Sequence, residues 1–374
     1  MARDQAFLVV VRFKRNRLRS VEDLTAELSE LTRSAGGRIV GHVTANIDRP
    51  TPDLFIARGK LFEIREQAER NGANLLIFNV DLSAVQGRNI EQATGLRAVD
   101  RTGIILDIFA RRAQSHAGRL QVELAQLNYL LPRLIGHGVI MSRLGGGIGT
   151  RGPGEQKLEV DRRKIRERIV RLKGELDKLK IHQRVVRSSR KRKDFSVVAL
   201  IGYTNAGKTT LLNELTGAAA LVEDKFFATL DPTTRVLHNK GGTKILVTDT
   251  VGFLRDLPHT LIESFRATLE EVTEADVLVH VLDIADSACE QHYGSVGKVL
   301  EDLNAIDRPT ILALNKVDLL DDHAIHKISE QFPDGILISA QRRTSLDCLV
   351  DRILARVKEI KTAHNAESFH RAHQ

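Results

Sequence analysis

Over residues 1 to about 115, short apolar runs alternate with longer amphipathic stretches. "AFLVVVRF" and "GRIVGHV" are apolar runs of strand length bounded by polar positions. Between them, "SVEDLTAELSELTRSAGG" reads as a helix, with Ser20 and Asp23 suited to its start and Gly36 and Gly37 to its stop. "KLFEIREQAERNG" predicts a second helix, "ANLLIFN" a further strand, and "RAVDRTGIILDIF" leads into another element. Alternation of this kind predicts a small α/β subdomain over residues 1–115. No chemistry is legible in it from pattern alone.

The period then changes. Leu120, Leu124, Leu127, Leu131 and Leu134 recur at alternating spacings of four and three, and Leu158, Ile165, Ile169, Leu172, Leu176 and Leu179 resume a heptad-like pattern. A glycine-rich loop, residues 136–157, separates them, within a hairpin placed at 116–193. Two such helices joined by one loop bury their seams against each other by folding back antiparallel, which puts the loop at the tip of a stalk. Long glycine-rich loops inside folded chains tend to be functional or disordered. The run "SSRKRKD" marks the next boundary, before a further domain placed at 194–360. The polar tail 361–374 is expected to be disordered, and His364, His370 and His373 within it lack the regular spacing of a metal site.

After the buried strand "VVALI" comes "GYTNAGKT", the full eight-position phosphate-loop pattern, followed by helix-like "TLLNELTG". Gly202, Tyr203, Thr204, Asn205, Ala206, Gly207, Lys208, Thr209 and the adjoining Thr210 are therefore the expected phosphate cradle. Lys208 is expected to reach the β- and γ-phosphates, and the Thr209 hydroxyl to ligate magnesium. Three further motifs follow, each at the carboxyl end of an apolar run, where open α/β sheets bind ligands. Asp249-Thr250-Val251-Gly252 supplies a carboxylate for magnesium through water and an amide that can sense the γ-phosphate. Asn315-Lys316-Val317-Asp318 supplies the base contact, because Asp318 can accept both the guanine N1–H and its 2-amino group, with Asn315 bracing the pocket. Ser339, Ala340 and Gln341 can offer an amide to the guanine O6.

Between the phosphate loop and Asp249 lies "FFATLDPTTR". A threonine here should close over magnesium and γ-phosphate as a switch: Thr229 is chosen, flanked by Phe227, Ala228, Leu230 and Asp231, with Thr233 and Thr234 as alternatives. The expected catalytic set is Lys208, Thr229, Gly252 and Asn205, and the magnesium set Thr209, Thr229 and Asp249. Phe253, after Gly252, cannot orient water, so intrinsic hydrolysis should be slow. Asn205 either ligates a potassium ion beside the phosphates or merely stabilises the turn; an arginine supplying similar charge is worth roughly 10³–10⁵ in rate.

Charge narrows the partner. Residues 142–193 hold 18 Lys or Arg against 6 Asp or Glu, a net +12 in a chain whose total is +8, so the remainder is net negative. Such concentration is the electrostatic footprint of a nucleic-acid contact. No apolar run approaches the roughly 18 residues of a membrane span, and the N-terminus reads as a first strand rather than a leader. Cys289 and Cys348 give neither a disulfide framework nor a metal pattern, as expected of a reducing compartment.

With these motifs assembled, the chain resembles the HflX family of translational GTPases. The resemblance rests on "GYTNAGKTTL", "FATLDPTTR", "DTVGF" and "NKVD", and more specifically on "DRTGIILDIFARRA", "LQVELAQLNYLLPRL" and "LGGGIGTRGPGE". It implies an α/β subdomain, a helical hairpin and a Ras-like G domain. It implies a cytoplasmic, partly ribosome-associated monomer that binds GTP or GDP with Mg2+, engages the large (50S) subunit and its 23S rRNA, and separates stalled or idle 70S ribosomes. In the family the glycine loop reaches towards the peptidyl-transferase centre, so Arg143, Arg151, Arg162, Arg163 and Arg166 are expected on RNA phosphates. Few aromatics, at 4% of residues, fit shape-based contact better than stacking on bases. Some members carry a folded extension after the G domain; about 14 residues stand there in this chain, so contacts of that extension are not carried over. Two other readings compete: a GTP-gated RNA-binding assembly factor with little turnover, and a regulator that docks a protein through the coiled coil. The one-signed charge of the stalk speaks against the latter.

Overall fold

The structure is a computed structural model that describes residues 4–14, 20–134, 153–192, 195–217, 226–227, 230–237, 244–255, 258, 261 and 266–371. Most of the glycine-rich loop, with Arg143 and Arg151, lies outside the described residues, as do Ala228 and Thr229. The chain divides into two compact units, Met1–Lys178 and Leu179–Gln374.

The first unit is built on a parallel sheet of order β2-β1-β3-β4, from β1 (Gln5–Phe13), β2 (Arg38–Ile47), β3 (Leu75–Phe78) and β4 (Arg97–Val99). β1 is central and covered on both faces, which is why its apolar run is unbroken rather than alternating: Ala6 to Val11 are all buried. The helices start on side-chain caps. Ser20 accepts the Asp23 amide ahead of α1 (Val21–Ser34), and Ser83 and Gln86 form a reciprocal capping box ahead of α3 (Ala84–Thr94). Between these two lies α2 (Arg58–Arg70).

Asp100 caps α4 (Arg101–Arg112) and also knots it to α5 (His116–Arg133). One carboxylate oxygen accepts the Gly103 amide at 2.8 Å and the Tyr129 hydroxyl at 2.8 Å; the other accepts the Leu82 amide at 3.1 Å and the Arg133 guanidinium at 2.6 Å. Burial pushes this carboxyl above its ordinary pKa, while the Arg133 charge pulls it back. α5 buries Leu120 and Leu124 as its heptad pattern predicts, and leaves Leu127, Leu131 and Leu134 half-buried. It also buries Gln121, Val122 and Ala125. The apolar face is wider than a two-helix seam because α5 also packs on α3 and α4.

The helix α6 (Pro153–Arg192) buries Ile169, Leu172 and Leu176 and leaves Ile165 and Leu179 half-buried. Its Arg168 donates to both carboxylate oxygens of Glu123 on α5, each at 2.7 Å. That fork-to-fork bond holds the Glu123 carboxyl below its usual range. Arg162 is half-buried, whereas Arg163 and Arg166 are exposed.

The second unit carries a six-stranded sheet of order β10-β9-β8-β5-β7-β6. Its strands are β5 (Ser196–Ile201), β6 (Thr233–Val236), β7 (Ile245–Asp249), β8 (Val277–Asp283), β9 (Thr310–Asn315) and β10 (Ile336–Leu337); only the β6–β7 pair is antiparallel. Period-two alternation assigns the faces. Val198 and Leu200 join the core under α7 (Lys208–Thr216) and α11 (Leu346–Arg371). Ala199 and Ile201 join the one under α8 (Arg266–Glu274) and α9 (Cys289–Asp302). The remaining helix, α10 (Asp322–Gln331), follows β9. α11 continues to Arg371, past the point where the polar composition predicts disorder; once a helix is nucleated on a packed first half, each further residue adds one backbone bond at little cost. Among the described residues no helix is long and apolar enough to cross a membrane.

A candidate phosphate cradle and base pocket at the switch point of the sheet

From β5 the strand order runs one way to β7 and the other way to β8, and the crevice above such a reversal is where doubly wound sheets bind ligands. The phosphate-loop motif leaves β5 at this point. Gly202 adopts φ +151°, and a side-chain carbon there would stand 2.2 Å from the Val281 carbonyl oxygen of β8. Gly207 has φ +92°, and its α-carbon lies against Asn315: a Cβ would be 2.4 Å from Nδ2. Asn205 is left-handed at φ 64° and exposed, a backbone conformation that asparagine tolerates. These three conformations shape the loop ahead of the first turn of α7, where the leading amides of a helix lack intrahelical acceptors.

Lys208 is 6% exposed and donates to the Gly202 carbonyl at 3.1 Å and the Tyr203 carbonyl at 2.8 Å. Burial lowers its ammonium pKa to about 8, against the opposing pull of Asp249. Thr209 donates its hydroxyl to Asp249 at 2.7 Å, so two hard oxygen ligands from α7 and β7 are already side by side. That donor set suits magnesium, which takes few protein oxygens and completes its shell with phosphate and water. Among the described residues no group of three or more His, Cys, Asp or Glu side chains could hold a metal ion by itself.

Gly252 faces the loop: a Cβ there would come within 2.9 Å of Thr204 and 3.2 Å of the Lys208 ammonium. Phe253 pairs with the loop through its backbone, its amide donating to the Gly202 carbonyl at 3.0 Å and its carbonyl accepting from the Thr204 amide at 2.8 Å. Its ring is buried in the core with Ala199, Ile201 and Leu269. The hydroxyl of the buried Thr250 donates to the Leu200 carbonyl at 2.7 Å, and Val251 is buried beside it. Thr233 and Thr234, the alternative switch threonines, lie in β6 paired to β7, and Thr234 shares a hydroxyl bond with Thr248 at 3.0 Å. Phe227 and Leu230, which bracket Thr229 in sequence, are both buried, and Asp231 is half-buried.

Asn315 joins three loops. Its Nδ2 donates to the Ala206 carbonyl at 2.8 Å, and its Oδ1 accepts the Ala340 amide at 3.0 Å. Asp318, 8% exposed, accepts the Ser339 hydroxyl at 2.6 Å and has Arg342 at 3.5 Å from its other oxygen. A carboxylate has about four lone-pair sites, so it can still accept two donors of a base. Lys316, left-handed at φ 68°, binds Asp283 at 2.6 Å, Val317 opens a short 3-10 turn, and Gln341 is exposed. Thr210 is half-buried in the first turn of α7.

Arg342, Asp283 and the bonds made by Asn315 carry no spacing signal, because they join segments far apart in the chain. The same holds for α9. Its His292 stacks on the Tyr203 ring at 3.8 Å, while Tyr293 stacks on buried His280 at 5.2 Å. Burial lowers the His280 pKa to about 4, which keeps this strand histidine neutral.

The chain is similar to known GTPases. Three family models match: "GTP-binding GTPase N-terminal" over residues 22–110, "GTP-binding GTPase Middle Region" over 112–190 and "50S ribosome-binding GTPase" over 197–316. The chain is 50% identical over 336 residues to a GTPase HflX of Caldanaerobacter subterraneus, covering 89% of this chain and 76% of that protein. It is 41% identical over 358 residues to GTPase HflX of Escherichia coli K12, covering 95% and 83%. Among solved structures it is similar to a crystal structure of SsGBP in complex with GDP, at 26% identity and a TM-score of 0.51, with 95% of this chain and 99% of that one covered.

Proposed function

Given that this chain belongs to the HflX family of GTPases and hydrolyses GTP, we propose that it binds the large ribosomal subunit in its GTP state, separates stalled or idle ribosomes, and is released by hydrolysis. The observation that carries the ribosomal part is the net +12 of residues 142–193, set directly before a G domain whose family model is described as ribosome-binding. In this reading α5 and α6 form an antiparallel stalk, and the glycine loop with Arg143 and Arg151 enters an RNA cavity. Arg162, Arg163 and Arg166 then bind 23S rRNA phosphates with little sequence reading.

Within the G domain, the proposal gives Lys208 the β- and γ-phosphates, the Gly252 amide the γ-phosphate, and Asp318 the guanine edge. Thr209 would hold magnesium directly and Asp249 through water, a metal that would supply charge neutralisation at the phosphates. Thr229 is the switch threonine, a choice favoured because Thr233 and Thr234 would have to leave a paired strand. Asn205 is retained as a potassium ligand beside the phosphates; its left-handed exposed backbone is compatible with that role and with a purely turn-stabilising one.

The test is multiple-turnover GTP hydrolysis with and without purified large subunits, in potassium and in sodium. Strong subunit stimulation supports the proposal, and stimulation confined to potassium adds Asn205 to the machinery. One observation favours a second reading. Phe253 is buried in the core, which leaves no side chain after Gly252 to orient water. Tight GTP-dependent subunit binding without stimulated turnover would make the protein a gated RNA binder with a slow release clock.

A further inference from the structure

Thr204 is the third residue of the phosphate loop, and the inference drawn from it rests on the reading that this loop holds the phosphates. It is 5% exposed, and its amide is engaged by the Phe253 carbonyl. Its α-carbon and methyl face Gly252, each 2.9 Å from where a Cβ would stand on that glycine; the Lys208 ammonium is 3.2 Å from the same point. Thr204, Gly252 and the lysine charge are thus packed against one another, beside the position assigned to the γ-phosphate.

The Thr204 hydroxyl is fully buried and meets no hydrogen-bond partner among the described residues. Neighbouring buried threonines behave otherwise: Thr216 donates to the Leu212 carbonyl and Thr250 to the Leu200 carbonyl. Buried hydroxyls are almost always paired, because leaving one unpaired forfeits its hydration for nothing. An orphan of this kind beside a phosphate site points to a partner that arrives with the ligand. A hydroxyl can also donate and accept at once, which a phenyl ring at position 253 cannot.

We propose that Thr204 is a catalytic residue that holds the attacking water: its Oγ1 accepts a hydrogen bond from that water and donates its own to a γ-phosphate oxygen. The water oxygen bonds to the γ-phosphorus as the bond from that phosphorus to the β–γ bridging oxygen breaks. GDP departs with the electron pair, and the proton lost by the water ends on inorganic phosphate or GDP. Thr204 is neither consumed nor ionised.

Thr204→Val preserves the methyl against Gly252 and deletes only the hydroxyl; Thr204→Ser keeps the hydroxyl. Both are made in the full chain and followed by single-turnover GTP hydrolysis and by equilibrium binding of GDP and a non-hydrolysable GTP analogue. The valine variant is expected to hydrolyse roughly 10- to 100-fold more slowly. Its affinity for GDP, which lacks the γ-phosphate, should stay within about threefold of the parent, affinity for the GTP analogue should fall by no more than about tenfold with the one lost hydrogen bond, and the serine variant should recover most of the rate. A valine variant with the parent's rate overturns the assignment. So does one that loses GDP affinity in step with rate, since Thr204 would then only shape the loop. Lys208→Ala, measured alongside, separates the two possible failures. Unchanged GTP affinity in that variant sinks the phosphate-loop reading itself. Lost affinity there, with normal hydrolysis by Thr204→Val, removes Thr204 alone.

Discussion

Lys208 shows how much of this site is set by burial at single residues. Its ammonium is desolvated by burial, and its pKa falls from the ordinary 10.5 to about 8. A phosphate beside it would restore the charged form. GTP binding should therefore take up a proton at and above about pH 8, and affinity should weaken as pH rises through that value. Calorimetry in two buffers of different ionisation heat checks this; heats independent of buffer, with a flat affinity profile, would contradict it. Asp318 gives a second prediction. Asp318→Asn replaces an acceptor with a donor, so guanine should lose at least about tenfold in affinity while xanthine gains. Competition between GTP and XTP reads the change directly, and unaltered base selectivity would remove Asp318 from the pocket. Both residues are legible from sequence spacing. The partners that hold them are not: Ser339, Arg342 and the two loops braced by Asn315 meet only after the strands pair.

At the scale of elements, two glycines predict opposite outcomes. Gly202→Ala would place a carbon 2.2 Å from the backbone oxygen of Val281, at φ +151°, so β5 and β8 would have to move apart. A loss of roughly 2–5 kcal/mol is expected in urea unfolding. Gly87, inside α3, has nothing within 4 Å of an added carbon. Gly87→Ala should stabilise by about 0.5–1 kcal/mol in the same assay, because alanine is the better helix former. Equal effects of the two changes would refute the packing argument. Element starts were readable wherever a cap is local, as at Ser20, since the side chain and its amide are three residues apart. The width of the α5 core face was not, because it depends on the helices that α5 packs against, nor was the reach of α11 to Arg371, because propagation from a packed first half and not local composition carries it.

For the whole molecule, the charge distribution makes the sharpest prediction. Replacing residues 145–154 with a short flexible linker removes the glycine-dense centre of the loop and Arg151 but leaves every residue of the G domain in place. GTP affinity should be unchanged, whereas ribosome separation, measured by sedimentation of 70S particles into subunits, should be lost. A linker variant that still separates ribosomes would refute the probe role of the loop.

What the sequence determined by itself is whatever local spacing encodes: the strand and helix periods, the caps, the phosphate-loop motif, the order of the base-recognition motifs, and the confinement of positive charge to one segment. Tertiary structure decided which of those parts meet. Asn315 reaches back over 109 residues to Ala206, Phe253 is buried in the core, and Thr204 keeps a buried hydroxyl without a partner among the described residues. Each depends on strand pairing and on the exclusion of water by groups distant in the chain. Burial and orientation are properties of neighbours, and no residue's neighbours across a sheet are written in its own spacing.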